Sequence, residues 1–180
     1  MNKFNLLKQI YIVLSILIFS SCFTVKPSTV KSGKKLFETF YVGEEGIQYF
    51  IKPLTYKNDI GEELKLDITF RYKDEIKDSA IMNISLLGNE NNKNLRRIEI
   101  SDTQNHIIIK DIKHLFTESN KKIVKCRFSM KCPLYKLTNM FINNDWGITV
   151  YRQENHSKYT ATKKTKKTIN KLRDVIFTHL

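Results

Sequence analysis

Glycine and proline are scarce in this chain, six and three among 180 residues. That excludes a collagen-like or low-complexity polymer. Cysteines number three, too few for a disulfide-stapled scaffold. Long apolar runs are missing too: Ile10–Phe19 is the one extended stretch, well short of the about 20 residues that span a bilayer. A multi-span membrane protein is therefore excluded. No P-loop, Gly-x-Gly-x-x-Gly, Gly-x-Ser-x-Gly or His-Glu-x-x-His frame occurs, so no catalytic residue, metal ligand or cofactor is expected from motifs.

Acidic residues are outnumbered, 18 against 31 basic, for a net charge of +13. A basic chain raises the question of nucleic acid. The excess is mainly lysine and comes with many Asn and Ile, a pattern of biased genome composition. No nucleic-acid partner is expected. Anionic lipid or acidic glycan ranks above it.

The first residues have the three parts of a signal peptide: Lys3 and Lys8, then Ile10–Phe19, then Ser20-Ser21. Phe19-Ser20-Ser21-Cys22 resembles the lipobox of bacterial lipoproteins, with Phe19 where that family usually has Leu. The resemblance covers residues 1–23 and implies cleavage after Ser21 with diacylglycerol on Cys22, often with a further acyl chain on its amine. Two or more chains hold a protein stably to a membrane. Phe23 stands where Asp marks inner-membrane retention in some lipoproteins. No acidic cluster follows Cys22. The implied address is the periplasmic face of an outer membrane.

Residues 22–35 read as the lipidated cysteine and a flexible tether of Pro, Ser, Gly and Lys. Residues 36–180 then form one domain, long enough for a proper core. Their dominant period is two. Leu64, Leu66, Ile68, Phe70 and Tyr72 alternate with polar residues, as do Met82, Ile84 and Leu86, then Val124, Cys126, Phe128, Met130 and Cys132, and finally Trp146, Ile148 and Val150. Such alternation marks strands with one buried face. Further strands are expected at 37–42, 47–52, 95–101 and 106–110, separated by Gly-, Asn- and Asp-rich turns. The expected fold is mostly β, an antiparallel sandwich of about eight strands with a C-terminal α-helix. That helix is placed at about 163–178, where Ile169, Leu172, Ile176 and Leu180 recur every three or four residues and Thr162 or Thr165 caps the start. Asp111–Phe116 reads as one helical turn, and 133–142 as either helix or strand.

Candidate chemistry is sparse. Cys126 and Cys132 lie six residues apart on one strand face, roughly 20 Å, too far for a disulfide unless 127–131 were a loop. They read as core residues. On a helical turn Asp111, His114 and Glu118 would share a face as an acid/base or metal cluster, against the plainer reading of a solvated turn. Tyr41, Tyr49, Tyr56, Trp146, Tyr151 and Tyr159 offer rings for sugar stacking, against plain sheet packing. Tyr151 is the best surface candidate, because it faces away from Trp146, Ile148 and Val150. Lys163, Lys164, Lys166 and Lys167 are candidate surface-binding residues on the terminal helix, in a stretch (158–173) with seven basic residues and no acid. Its apolar stripe is expected to dock on the domain, leaving the lysines outside.

The expected partners are the membrane, through lipid on Cys22, and an envelope protein or glycan. Two functions fit: a non-catalytic binding or structural module, or an envelope hydrolase with loop-borne catalytic residues. Two or more of His106, His114 and His156 converging with acids in one cleft would favour the hydrolase.

Overall fold

The computed structural model describes residues 36–73, 79–88, 94–120, 123–143, 145–153 and 155–180. The signal peptide, Cys22 and the tether lie outside them. Ten strands are present among the described residues: β1 Phe37–Tyr41, β2 Ile47–Lys57, β3 Glu63–Tyr72, β4 Ser79–Gly88, β5 Arg97–Ser101, β6 His106–Ile109, β7 Ile112–Asn120, β8 Ile123–Pro133, β9 Gly147–Tyr151 and β10 His156–Ala161. Helix α1 spans Leu134–Asn143. Helix α2 spans Lys163–Leu172 and continues into a π-helical turn, Arg173–Phe177.

Every pairing is antiparallel. The order is β6-β5-β9-β10-β2-β3-β4-β8-β7, with β1 also paired to β2. β6 and β7 stand at opposite ends of that order, yet only Lys110 and Asp111 separate them in the chain. Three residue steps reach about 11 Å at most, so the two edges must come together there. The sheet is nearly closed into a barrel. Its thinnest seam is β10 on β2, where only Thr160↔Lys57 and Ala161↔Tyr56 pair.

The mostly-β, antiparallel architecture with a C-terminal helix is as expected from the alternation. The sandwich of about eight strands differs from what is found, which is one continuous wrapped sheet of ten. The period of two tells which residues face inward and does not tell whether inward faces belong to two sheets or one. Two strands were also hidden. β7 replaces the helical turn expected at Asp111–Phe116. A bulge between His114 and Phe116 shifts its register, so Ile112, Leu115 and Phe116 fall by accident at helical spacing. β10 contributes only Tyr159 and Ala161 to the core, too little for a readable alternation. The open segment 133–142 resolves as α1, with Leu134, Leu137, Met140 and Phe141 buried.

The buried residues form one hydrophobic cluster to which every strand from β2 to β10 except the edge strand β7 contributes. Strand side chains do not fill it alone. Phe141 of α1 stacks on Phe177 at 3.9 Å; Phe177 leans on Phe70 of β3 at 5.7 Å; Trp146 meets Phe141 at 5.6 Å and Tyr56 of β2 at 5.4 Å. Ile169, Leu172 and Ile176 of the terminal helix are buried beside them, each worth about 1.5–3 kcal/mol on burial. The terminal helix is therefore docked, as its apolar stripe predicts. A helix this short would be marginal in water alone.

A polar clasp fixes where α2 begins. β2 is bordered on one side by β1 and then by β10, and Thr55 lies between the two pairings. Its free backbone groups are taken by the helix start. The Thr165 hydroxyl accepts from the Thr55 N–H at 3.0 Å and donates to the Thr55 carbonyl at 2.6 Å. Thr162 caps the helix by accepting from the Thr165 N–H, and its own hydroxyl donates to Thr165 Oγ1. Thr165 is 4% exposed.

Two outcomes follow from this arrangement. Thr165→Ala leaves both Thr55 backbone groups without their side-chain partner, and should cost about 1–3 kcal/mol in urea unfolding. Thr168→Ala, which removes only a bond to the Lys164 carbonyl of the same helix, should be neutral or slightly stabilising. Equal effects would contradict the clasp. Separately, Cys126 and Cys132 are free and buried, and burial pushes the Cys132 thiol up to about 11. Both should resist alkylation in the native protein and react fully once it is unfolded without reductant.

Candidate functional site

The densest cluster of chemistry-bearing side chains lies on the outer face of β5, β6, β9 and β10, and its centre is Glu99. Register builds it. Arg97 pairs with Tyr151, and Tyr151 with His156, across three neighbouring strands. Ser101 pairs with His106 across the β5–β6 hairpin, which sets His106 diagonal to Glu99. The Tyr151 hydroxyl donates to Glu99 Oε2 at 2.9 Å. His106 Nε2 lies 3.4 Å from the same oxygen. Arg97 Nε lies 3.1 Å from Glu99 Oε1, but its N–H makes no hydrogen bond, so that contact is ionic only. The Glu99 side chain is 15% exposed, so its neighbours have largely used it up.

This geometry bears on the two readings of Tyr151, a ring for sugar stacking and plain sheet packing. The residue does sit on the outer face, as its position opposite Trp146 implied. Its ring, however, is flanked on both sides: the Arg97 guanidinium stands 3.9 Å from the ring centroid, and the His156 ring stacks at 5.4 Å with 25° between planes. A sugar would have to displace one of them. Of the other aromatic candidates, Tyr56, Trp146 and Tyr159 are buried, Tyr49 stacks on Phe70, and Tyr41 alone is widely exposed. Burial pushes the Tyr56 hydroxyl well above its ordinary range, which keeps it neutral.

The acid/base cluster that Asp111, His114 and Glu118 would form on a helical turn, set in the sequence against a plain solvated turn, does not assemble. The segment is a strand, and the bulge leaves His114 and Glu118 on opposite faces. His114 Nε2 meets the Thr117 hydroxyl at 2.9 Å, with its ring edge-on to Phe128, whereas Glu118 pairs with Lys125 at 3.2 Å. His106 and His156 do converge on one region, but His156 reaches the Tyr151 ring and no carboxylate. No side-chain hydrogen bond joins Ser101 to His106 among the described residues. Nor does any group of three or more His, Cys, Asp or Glu there stand close enough to hold a metal ion.

The lysine candidates are placed on the solvent side of α2. Lys163, Lys164, Lys166 and Lys167 are exposed, as is Lys171. Lys166 pairs with Asp145 at 2.7 Å. Lys163, Lys164, Lys167 and Lys171 take part in no ion pair among the described residues.

Two polar networks were missed in the sequence. On the outer face of β3, β4 and β8, Arg127 holds Asp67 at 2.9 Å and the Ser85 hydroxyl at 2.9 Å, while Asn83 donates to Asp67. Near the β9–β10 turn, the Tyr159 hydroxyl lies between Arg152 at 3.4 Å and Glu62 at 3.3 Å. Burial raises the Tyr159 hydroxyl, and the hydrogen bond from Arg152 opposes that. Outward polar residues on neighbouring strands are the only sequence signal for the first network, and it is unreadable without the pairing; the second joins the buried Tyr159 to two residues outside the strands and leaves no period to read.

Comparison with protein-family models, with curated proteins and with solved structures finds no match. No helix among the described residues is long and apolar enough to cross a membrane.

The Glu99 cluster behaves as a structural fastener across four strands. Tyr151→Phe removes one charge-assisted hydrogen bond and should cost about 1.5–3 kcal/mol in thermal or urea unfolding. Loss of less than a few tenths would mean that Tyr151 is not held by Glu99 in solution.

Proposed function

We propose that the chain is a membrane-anchored envelope lipoprotein acting as a non-catalytic binding or structural module. The observation that carries this reading is the sequence Phe19-Ser20-Ser21-Cys22 at the end of the apolar run Ile10–Phe19. Lipid on Cys22 attaches the domain to the membrane, in this reading the outer membrane with the domain facing the periplasm. An envelope protein or glycan is the partner class.

Two features support a module over a hydrolase. The interior is filled by aromatic and aliphatic side chains of α1 and the terminal helix. The polar groups of the outer face bind one another: Glu99 is shared by Tyr151, Arg97 and His106, and Asp67 by Arg127 and Asn83. A general base needs a free proton-accepting lone pair within reach of substrate, and Glu99 is already committed.

β7 supplies the contact surface in this reading. Among the described residues β7 pairs with one strand, β8, so away from its short link to β6 its other edge carries no partner strand, and Leu115 and Phe116 are exposed on it. Such edges recruit extended segments of other proteins.

The test is metabolic labelling with a modified fatty acid in cells that express the chain. Label on the wild-type protein and none on Cys22→Ala is the expected result. A protein that is exported yet stays unlabelled and soluble would overturn the anchor.

A further inference from the structure

We propose that the solvent face of α2 is a second membrane contact, an electrostatic one, that holds the domain against an anionic lipid leaflet beside its anchor. This deepens the lipoprotein reading and rests on it for the identity of the surface. What the geometry adds is the juxtaposition of an unpaired lysine face with the point where the chain enters the domain.

The face follows from helix geometry. At about 100° per residue, Lys163, Lys164, Lys167 and Lys171 fall within one arc of about 100°. The buried residues Thr165, Ile169 and Leu172 fall on the opposite side. Docking of the apolar stripe therefore turns the lysines outward, and the two roles do not compete. All four are exposed and none is neutralised by a carboxylate among the described residues, whereas Lys166, to the side of this arc, is tied to Asp145. On the adjoining outer face, Lys57 and Lys158 are exposed as well.

The chain enters at the same place. The Leu36 carbonyl accepts from the Lys52 N–H at 3.0 Å. Three residues further along β2, Thr55 is clasped by Thr162 and Thr165 at the start of α2. At about 3.3 Å per residue, the entering chain and the first turn of α2 are roughly 10 Å apart. Anything that holds residues before Leu36 to a bilayer brings this side of the domain towards it. Basic residues near an anionic leaflet are worth about 1 kcal/mol each, falling off within a Debye length. An anchor on the flexible tether read from the sequence keeps the domain close enough for the four unpaired lysines to reach that range, and their attraction to the leaflet holds them there. The acyl chains give attachment, and the lysine face gives orientation and preference for anionic lipid.

The test uses the whole chain as cells export it, solubilised and reconstituted on vesicles. One set is neutral phosphatidylcholine; the other contains phosphatidylglycerol. Both carry a trace of dansyl-labelled headgroup. Trp146 is the sole tryptophan, so energy transfer from it to dansyl reports how close the domain lies to the surface. We expect higher transfer on anionic than on neutral vesicles, a difference erased by high salt and by the combined replacement of Lys163, Lys164, Lys167 and Lys171 with Gln. Each single replacement should lower affinity for anionic vesicles about fivefold. The combined replacement of Lys73, Lys110, Lys113 and Lys131 with Gln, four exposed lysines outside α2, serves as the control for net charge and should keep the difference. Equal transfer on both vesicle types overturns the proposal, as does a control as damaging as the helix variant. Retention by an acidic glycan column without a vesicle response would assign the face to glycan and also overturn it. The anchor is read separately. A chain that washes off neutral vesicles in high salt but still shows the anionic, lysine-dependent transfer would sink the anchor and keep the lysine face.

Discussion

The stack of Phe141 on Phe177, with Phe70, Trp146 and Tyr56 around it, is the contact on which the rest of this structure depends. A sheet of ten strands that curves back on itself encloses more space than its own inward side chains fill, because barrel diameter grows with strand number. Interiors tolerate few voids. The two helices supply the missing volume. α1 enters directly from β8, and α2 returns from β10, so the chain delivers its plug from two of the sheet's own strands. Without the plug the inward face of the sheet would lack a partner, and the short β10–β2 seam could not hold the sheet closed.

That dependence explains why α2 has two unlike faces. Its inner side must be apolar to complete the core, and its start must be fixed at Thr55 to enter at the correct height. The outer side is released from any role in folding. Lysines gather there, next to the point where the chain enters the domain. The same division runs through the sheet. Inward positions are almost wholly apolar, while outward ones are polar and linked to each other, as in the Glu99 and Asp67 networks.

How much of this was legible depended on how regular each segment is. β3, β4 and β8 alternate without interruption, and their inward residues could be named from period alone. The terminal helix was legible for the same reason at period 3.6. β2 runs on through Pro53 by means of an irregularity between Ile51 and Leu54, which made it look half its length. β7 failed because its bulge reverses the phase of the alternation and little of it is buried. The closure of the sheet was illegible in principle from alternation, although the two-residue link Lys110-Asp111 carried it once β6 and β7 were known to be edges. Tyr151 was correctly turned outward, but its neighbours Arg97 and His156 lie 54 residues before and five after it in the chain. Only strand pairing brings the three together.

The central claim is that the terminal helix is part of the core and not an appendage on it. Native-state hydrogen exchange tests this most directly. If the helix completes the core, the amides of Ile169 and Leu172 exchange only through the same global opening as those of Leu66 and Ile68 in β3, with equal free energies and equal dependence on denaturant. Exchange of the helix amides through a separate opening of low energy, with β3 still protected, would contradict the account.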